Sequence, residues 1–296
     1  MALLKQGDKV ALVACSNGQN KQNEGMIAQL ISTLNEMGVE AVCSPYLYAD
    51  EDVFNGTAQE KGEALMSFYK DEDIKAIFDI SGGDLANEVL GRLDYEVIKK
   101  NNKPFFGYSD LTTVVNGIYA KTGNKGYLYQ IRNIIREEAE LQQTWVRKTL
   151  FEDKKELLDF SYEFVQGDCV EGEVVGGNIR CFLKLAGTPY MPDFTDKVLL
   201  LEAMSGGPAQ MNTFLNQYAQ MGAFEKVRGI ILGSFSKMEK EELQPDVVTL
   251  LKRILNQSDS KRVRNLPIVK TREIGHGADS KAVVIGEVIK LQNMSR

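Results

Sequence analysis

The stretch PFFGYSDLTT, residues 104–113, decides the fold. An apolar strand runs into a tight turn carrying Ser109, and Leu111, Val114, Val115 and Ile118 then recur at helical spacing. Ser109 therefore stands where the carboxyl end of a strand meets the amino end of a helix. Two readings fit this placement. Ser109 and Asp110 could cap the helix, or the turn could be a nucleophile elbow of the G-x-S-x-G kind, with Leu111 in place of the last glycine.

Upstream of this stretch, residues 9–14 (KVALVA), 40–44 and 74–80 read as strands, and helical patterns lie over 25–37, 58–69 and 85–93. Gly38 closes the first of these helices. Strands alternating with helices predict a parallel sheet covered on both faces. Ligands of such sheets collect beyond the carboxyl ends of the strands, at a switch in strand order. Ser81-Gly82-Gly83-Asp84 and Gly107-Tyr108-Ser109-Asp110 both occupy strand ends of that kind. The glycine pair suits a tight turn, a phosphate cradle or a backbone oxyanion donor. A dinucleotide fingerprint and a Walker lysine pattern are both missing from the chain.

Downstream, residues 133–160 are charge-rich, contain neither Gly nor Pro, and read as a helical connection that joins domains and covers the cleft. Beyond it the expected strands are 170–175, 197–201, 229–232, 268–270 and 282–288, with helices over 179–185, 210–220 and 246–255. The boundary falls near Gln166, giving an N-terminal domain over 1–165 and a C-terminal one over 166–296.

Composition narrows the function. The 296 residues, 43% of them hydrophobic and 26% charged, describe a globular protein of two domains. A net charge of −6 offers no basic footprint for nucleic acid or anionic lipid. The first residues lack a secretory signal pattern, and no apolar run approaches the roughly 18 residues of a membrane span, so the expected location is cytoplasmic. Cys15, Cys43, Cys169 and Cys181 lack the spacing of a zinc site or a disulfide framework and read as small buried hydrophobes. Cys15, after the first strand, is the one alternative nucleophile.

His276 is the sole histidine, so imidazole chemistry near neutral pH must run through it. It sits in Gly275-His276-Gly277 between two strands, while Glu202 closes the apolar run 198–201. Taken singly, each has a plain reading, a turn residue and a solvated strand end. In chain order, serine, acid and histidine match one order used by serine triads, in which the base takes the serine proton and the acid holds the other ring nitrogen.

Five segments carry a wider resemblance: GGDLANEVL (82–90), FFGYSDLTTVV (105–115), GGNIRCFLKLAGTPYMPDFTDKVLLLEAMSGGP (176–208), RGIILGSF (228–235) and GHGADSKAVVIG (275–286). Together, and in this order, they resemble the LD-carboxypeptidase family of serine peptidases, which includes the microcin immunity proteins. The resemblance implies an N-terminal flavodoxin-like, amidotransferase-like domain and a C-terminal swivelling-type β/α domain, with the active site between them. It implies Ser109 as nucleophile, Glu202 as acid and His276 as base, with the backbone N–H groups of Gly83 and Asp110 as oxyanion hole. It further implies a cofactor-free homodimer acting on a small peptide or an aminoacyl nucleotide. Muropeptide-specific members commonly carry RGGYG around the glycine pair; here residues 81–85 read SGGDL, which moves the chain towards the microcin-immunity-like branch. The segment after His276 also lacks the family's frequent proline. Arg180, after the Gly176-Gly177-Asn178 turn, is the candidate cation for a substrate anion. A non-catalytic protein keeping the same cleft for a small peptide or nucleotide is the rival expectation.

Overall fold

The computed structural model describes residues 2–293. Its first sheet contains β1 (Lys9–Val13), β2 (Glu40–Cys43), β3 (Ile74–Asp79), β4 (Phe105–Gly107) and β5 (Gly126–Leu128). These run parallel in the order β5-β4-β3-β1-β2, the flavodoxin-like arrangement with its switch point between β1 and β3. Along β1 the side chains divide by period two. Val10 and Leu12 enter the core beneath helix Glu24–Met37, and Ala11 and Val13 enter the core beneath helix Ala58–Lys70. That alternation of apolar residues on both faces is what a doubly covered parallel strand requires.

The second sheet holds β6 (Glu163–Gln166), β7 (Cys169–Asn178), β8 (Lys197–Ala203), β9 (Gly229–Phe235), β10 (Ile268–Lys270) and β12 (Val288–Gln292) in the order β12-β7-β8-β9-β10-β6. β7 to β10 are parallel, and the two edge strands are antiparallel. Val198 to Leu201 and Ile230 to Leu232 are wholly buried, as central strands of a covered sheet should be. No helix among the described residues is long and apolar enough to cross a membrane.

Sheet membership departs from a division at residue 166 in two places. β6 precedes that residue yet joins the second sheet, and β11 (Val283–Ile285) crosses back to the first, pairing antiparallel with β5. Residues 282–288, read above as one strand, are thus two. Gly286, at φ 81°, turns the chain between them, so that β11 closes one sheet and β12 edges the other.

Two helical expectations also change. Residues 85–93 form a 3₁₀ helix over Ala86–Arg92, and other loops take the N–H groups at its start: Leu85 N–H donates to Ser16 Oγ (3.2 Å) and Ala86 N–H to Asp110 Oδ2 (2.8 Å). The connection 133–160 is helical only in its first part, an α-helix over Ala139–Val146 continued by a π turn to Phe151. After that, Thr149 Oγ1 accepts the Leu157 N–H at 3.0 Å and the chain follows an irregular path. Val146, Leu150 and Leu157 pack on the first sheet, and Gln142 Nε2 donates to the carbonyl of Ser280 at 3.0 Å. The segment therefore buttresses the loop that carries His276.

Helix Thr112–Thr122 lies between the two sheets and belongs to a core continuous with both. Asn116 joins them directly. Its Nδ2 donates to the Gly176 carbonyl (2.8 Å) and its Oδ1 accepts the Gly176 N–H (3.0 Å), while Thr112 Oγ1 accepts the Asn178 N–H (3.1 Å). Gly176 has φ 105°, and a Cβ there would stand 2.2 Å from the Leu200 carbonyl oxygen. The replacement Asn116→Leu strands a buried N–H and C=O on Gly176, so urea denaturation should show a loss of about 2–5 kcal/mol.

Candidate active site

At the carboxyl end of β4 the chain turns sharply enough to put Ser109 at φ 58°, left-handed backbone that costs an L-residue about 1–2 kcal/mol. A 3₁₀ turn over Ser109–Leu111 follows and leads into the inter-sheet helix. Gly107 permits the turn, since a Cβ there would meet Leu111 Cβ at 2.6 Å. Left-handed backbone at a partly buried serine beyond a strand end fits the elbow reading, and the Leu111 side chain fills the space beside Gly107. A plain cap leaves such strain unexplained, because Ser109 makes no side-chain cap bond to this helix.

Glu202 is 1% exposed, not a solvated strand end. The β8–β9 register shifts between Leu201 and Ala203, a bulge that re-aims the side chain between them. Asn178 is its direct neighbour across β7–β8, and Asn178 Nδ2 donates to Glu202 Oε1 at 3.1 Å. His276 Nδ1 stands 2.8 Å from Glu202 Oε2. The contact is not well aligned, for neither atom has a partner of good hydrogen-bond geometry among the described residues, and His276 Nε2 is likewise buried without one.

Tyr108 packs edge-on against the imidazole, with ring centroids 5.0 Å apart. Burial first, and the Glu202 charge second, push its phenol well above its ordinary pKa, so it remains a neutral wall. Gly275 admits the His276 loop close to β9, since a Cβ there would lie 1.7 Å from Ser234 Oγ. Ser280 pins the loop from inside, its Oγ donating to the Gly275 carbonyl at 2.7 Å.

The loop of Gly83 is tied to the end of β1. Ser16 N–H donates to Ser81 Oγ (2.9 Å), Asn17 N–H to the Gly82 carbonyl (3.2 Å), and Asp84 N–H to Asn17 Oδ1 (2.9 Å). Gly83 has φ 123°, and a Cβ on it would strike Asn17 Cγ at 2.2 Å. Asp110, wholly buried, accepts from Ser16 Oγ at 2.7 Å and pairs with Lys184 Nζ.

Ser109, His276, Gly83 and Tyr108 line one cavity of about 430 Å³. Gly83, Ser109 and Met204 also line a smaller neighbour of about 210 Å³, so the serine stands where two pockets meet. The structure therefore brings the three expected residues to one cleft between the sheets, Glu202 through its contact with His276. Arg180 lies in the smaller pocket, its guanidinium held by Asp84 and by the Gly83 carbonyl (3.2 Å). Asn178 and Tyr108, both within the quoted motifs, were not singled out by the sequence; nor were Arg132 and Arg136, which line the larger cavity. Only a parallel pairing of β7 with β8 puts Asn178 beside Glu202, and that pairing is not a local signal.

Cys15 is no rival nucleophile. It is buried, and burial followed by the nearby Asp79 charge raises its thiol well above the ordinary range, which keeps it protonated.

Comparison with known proteins identifies the family. The LD-carboxypeptidase N-terminal domain matches residues 10–130 and the LD-carboxypeptidase C-terminal domain matches residues 171–291. The chain belongs to the LD-carboxypeptidase family, a family of peptidase-type hydrolases. Among its relatives, a Bacillus subtilis (strain 168) protein named as a probable murein peptide carboxypeptidase is 26% identical over 289 residues, covering 96% of this chain and 88% of that one. The microcin C7 self-immunity protein MccF of Escherichia coli is 25% identical over 264 residues, covering 78% of this chain and 77% of its own. A structure of MccF with glutamyl sulfamoyl guanosine superposes with TM-score 0.84 at 20% identity, over 99% of this chain and 98% of that one. The muramoyltetrapeptide carboxypeptidase of Oxalobacter formigenes gives 0.80 at 21% identity, over 97% and 96%.

Two outcomes check the local readings. Ser109→Gly relieves left-handed strain and should raise stability in chemical denaturation by about 1 kcal/mol; no gain would mean the turn is unstrained. Iodoacetamide at pH 8 should modify exposed Cys43 and spare buried Cys15 and Cys181, whose thiol burial pushes up to about 12, until the protein is unfolded; mass spectrometry of the native protein reads the difference.

Proposed function

We propose that the protein is a serine hydrolase that cleaves an amide bond near the end of a small peptide-like substrate. The observation that supports this most is the His276 ring. Its Nδ1 stands 2.8 Å from Glu202 Oε2, and its Nε2 is enclosed without a partner among the described residues in the cavity that Ser109 also lines.

In this reading Nε2 takes the Ser109 proton as Oγ attacks the scissile carbonyl carbon, and Glu202 stabilises the imidazolium that forms. The carbonyl π electrons move onto oxygen, and the backbone N–H groups of Gly83 and Asp110 receive that oxyanion. One such donor is worth about 3–4 kcal/mol where it has been removed in other enzymes. The imidazolium then protonates the departing amine, the C–N bond breaks, and an acyl-Ser109 ester remains. Water, deprotonated by the same nitrogen, releases the acid and restores the serine.

Two substrate classes follow from the relatives. One is a muropeptide tetrapeptide that loses its terminal D-alanine, after the proteins named as murein or muramoyltetrapeptide carboxypeptidases. The other is an aminoacyl nucleotide, after MccF, whose structures hold glutamyl sulfamoyl guanosine and aspartyl sulfamoyl adenosine. Residues 81–85, SGGDL, favour the second.

Turnover of an LD-tetrapeptide and of an aminoacyl-adenylate analogue, measured side by side, tests the reading. Ser109→Ala and His276→Ala should each fall to background on whichever compound the wild type accepts. Glu202→Gln should lower kcat by roughly 10³–10⁴-fold, since the wrong tautomer is then favoured. Wild-type rates in Ser109→Ala would overturn the assignment, and ligand binding with no turnover would favour a binding protein on the same fold.

A further inference from the structure

The larger cavity has a cationic wall that the proposed chemistry does not use. Residues Ile131–Ile135 form a 3₁₀ turn directly after β5, and this turn carries Arg132 into the cavity beside Tyr129, Gln130 and Asn133. Arg132 is half-buried and its Nη1 donates to Gln19 Oε1 at 3.3 Å, but its Nε is enclosed without a hydrogen-bond partner among the described residues. An enclosed guanidinium N–H left unpaired is costly, and it finds compensation when a ligand supplies the acceptor.

Arg136 lines the same cavity from the rim. Its Nη1 donates to Asn133 Oδ1 at 3.4 Å, and its Nε lies 3.6 Å from Glu137 Oε2, a solvent-facing contact of small energetic weight. The two guanidinium groups are near enough to oppose one another: burial first, and the Arg136 charge second, lower the pKa of Arg132. The carboxylate that offsets them, Asp79, is already committed to the N–H groups of Cys15 and Ser81 (2.8 Å each) and to the Ser81 hydroxyl. Lys281, the other cation of the cavity, sits over the Trp145 ring at 3.3 Å and donates to the Glu156 carbonyl. Glu202 is occupied by His276 and Asn178. Positive charge in this cavity is therefore left over from the fold's own pairing, and it is concentrated at Arg132 and Arg136.

We propose that Arg132 and Arg136 form an anion-binding subsite of the cleft, which takes a carboxylate or phosphate group of the substrate while its scissile carbonyl lies at Ser109. A guanidinium fork matches the paired oxygens of either anion, so the shared chemistry is a planar or tetrahedral oxyanion held by charge-assisted bonds. Both arginines lie in the segment between residues 130 and 171, outside the two regions matched by the family. The subsite thus lies in the segment between the two matched regions. It narrows the substrate class of the hydrolase reading and rests on that reading for its role, though not for its existence.

The test is equilibrium binding to Ser109→Ala protein, in which hydrolysis plays no part. Two matched pairs serve as probes: an LD-tetrapeptide with free C-terminal carboxylate against its C-terminal amide, and AMP against adenosine. Within at least one pair the anionic member should bind tighter. Adding Arg132→Gln should weaken that member by roughly 10- to 100-fold and leave the neutral one within about twofold, as expected for a charge-assisted bond. Arg136→Gln, on the exposed rim, gives the same test with little risk to folding and should cost roughly 3- to 10-fold. The discriminating pair identifies the source of the anion. Equal binding of both members of both pairs, no binding of either anion at millimolar concentration, or equal weakening of charged and neutral probes by the arginine variants would each overturn the subsite. Wild-type protein that discriminates anions yet turns over neither substrate would uphold the subsite and count against the hydrolase reading alone.

Discussion

The double hydrogen bond between Asn116 and the Gly176 backbone holds the molecule's chemistry in register. Ser109 belongs to the first sheet, and Glu202 belongs to the second. Neither half contains a complete constellation, so the geometry depends on how firmly helix Thr112–Thr122 is fixed to β7. A side-chain amide that satisfies both the N–H and the C=O of one residue fixes translation and rotation together. Thr112, on the same helix, repeats the tie at Asn178, the residue that holds the free oxygen of Glu202. The helix that follows Ser109 is therefore joined to Glu202 by a short run of buried hydrogen bonds.

Below the cleft the interior is unusually polar. Asp79, Asp110, Lys61 and Ser16 are all buried beneath the strand ends of the first sheet. Each is partnered: Asp110 with Lys184 and Ser16, Lys61 with Glu88 and the Ser16 carbonyl, Asp79 with the backbone of Cys15 and Ser81. Desolvating charges in this way contributes little net stability compared with apolar packing. It does fix the loops after β1, β3 and β4 against one another, and those are the loops that flank Ser109. Stability has been exchanged here for position, in keeping with the strained backbone of the serine itself.

Much of this arrangement was legible in the sequence because it is encoded locally. The apolar run of residues 9–14, the glycine pair after β3 and the apolar run before Glu202 each reflect a residue's own strand or turn. What escaped was set by partners distant in the chain. β5 is three residues long, too short to show a period, and it is a strand because it pairs with β4 on one side and, across more than a hundred residues, with β11 on the other. Glu202 reads as exposed by type, and its burial follows from Asn178 and His276 closing over it. Arg136 reads as part of the charged helical connection over 133–160 and Arg132 lies just before it, since nothing in the chain order says that the 3₁₀ turn after β5 faces a cavity.

The return of β11 to the first sheet bears on what counts as a separable part of this chain. The two regions that match the family are separated by residues 131–170, as if each were a module. A fragment ending there would leave the β5 backbone unpaired along one side, an open edge of the sort that recruits strands from other molecules. The amino-terminal half thus relies on the last residues of the carboxyl-terminal one to terminate its sheet. Chain folded during synthesis must wait until Val283–Ile285 has emerged before that edge is closed, which makes the interval until then the period of greatest exposure to misassociation.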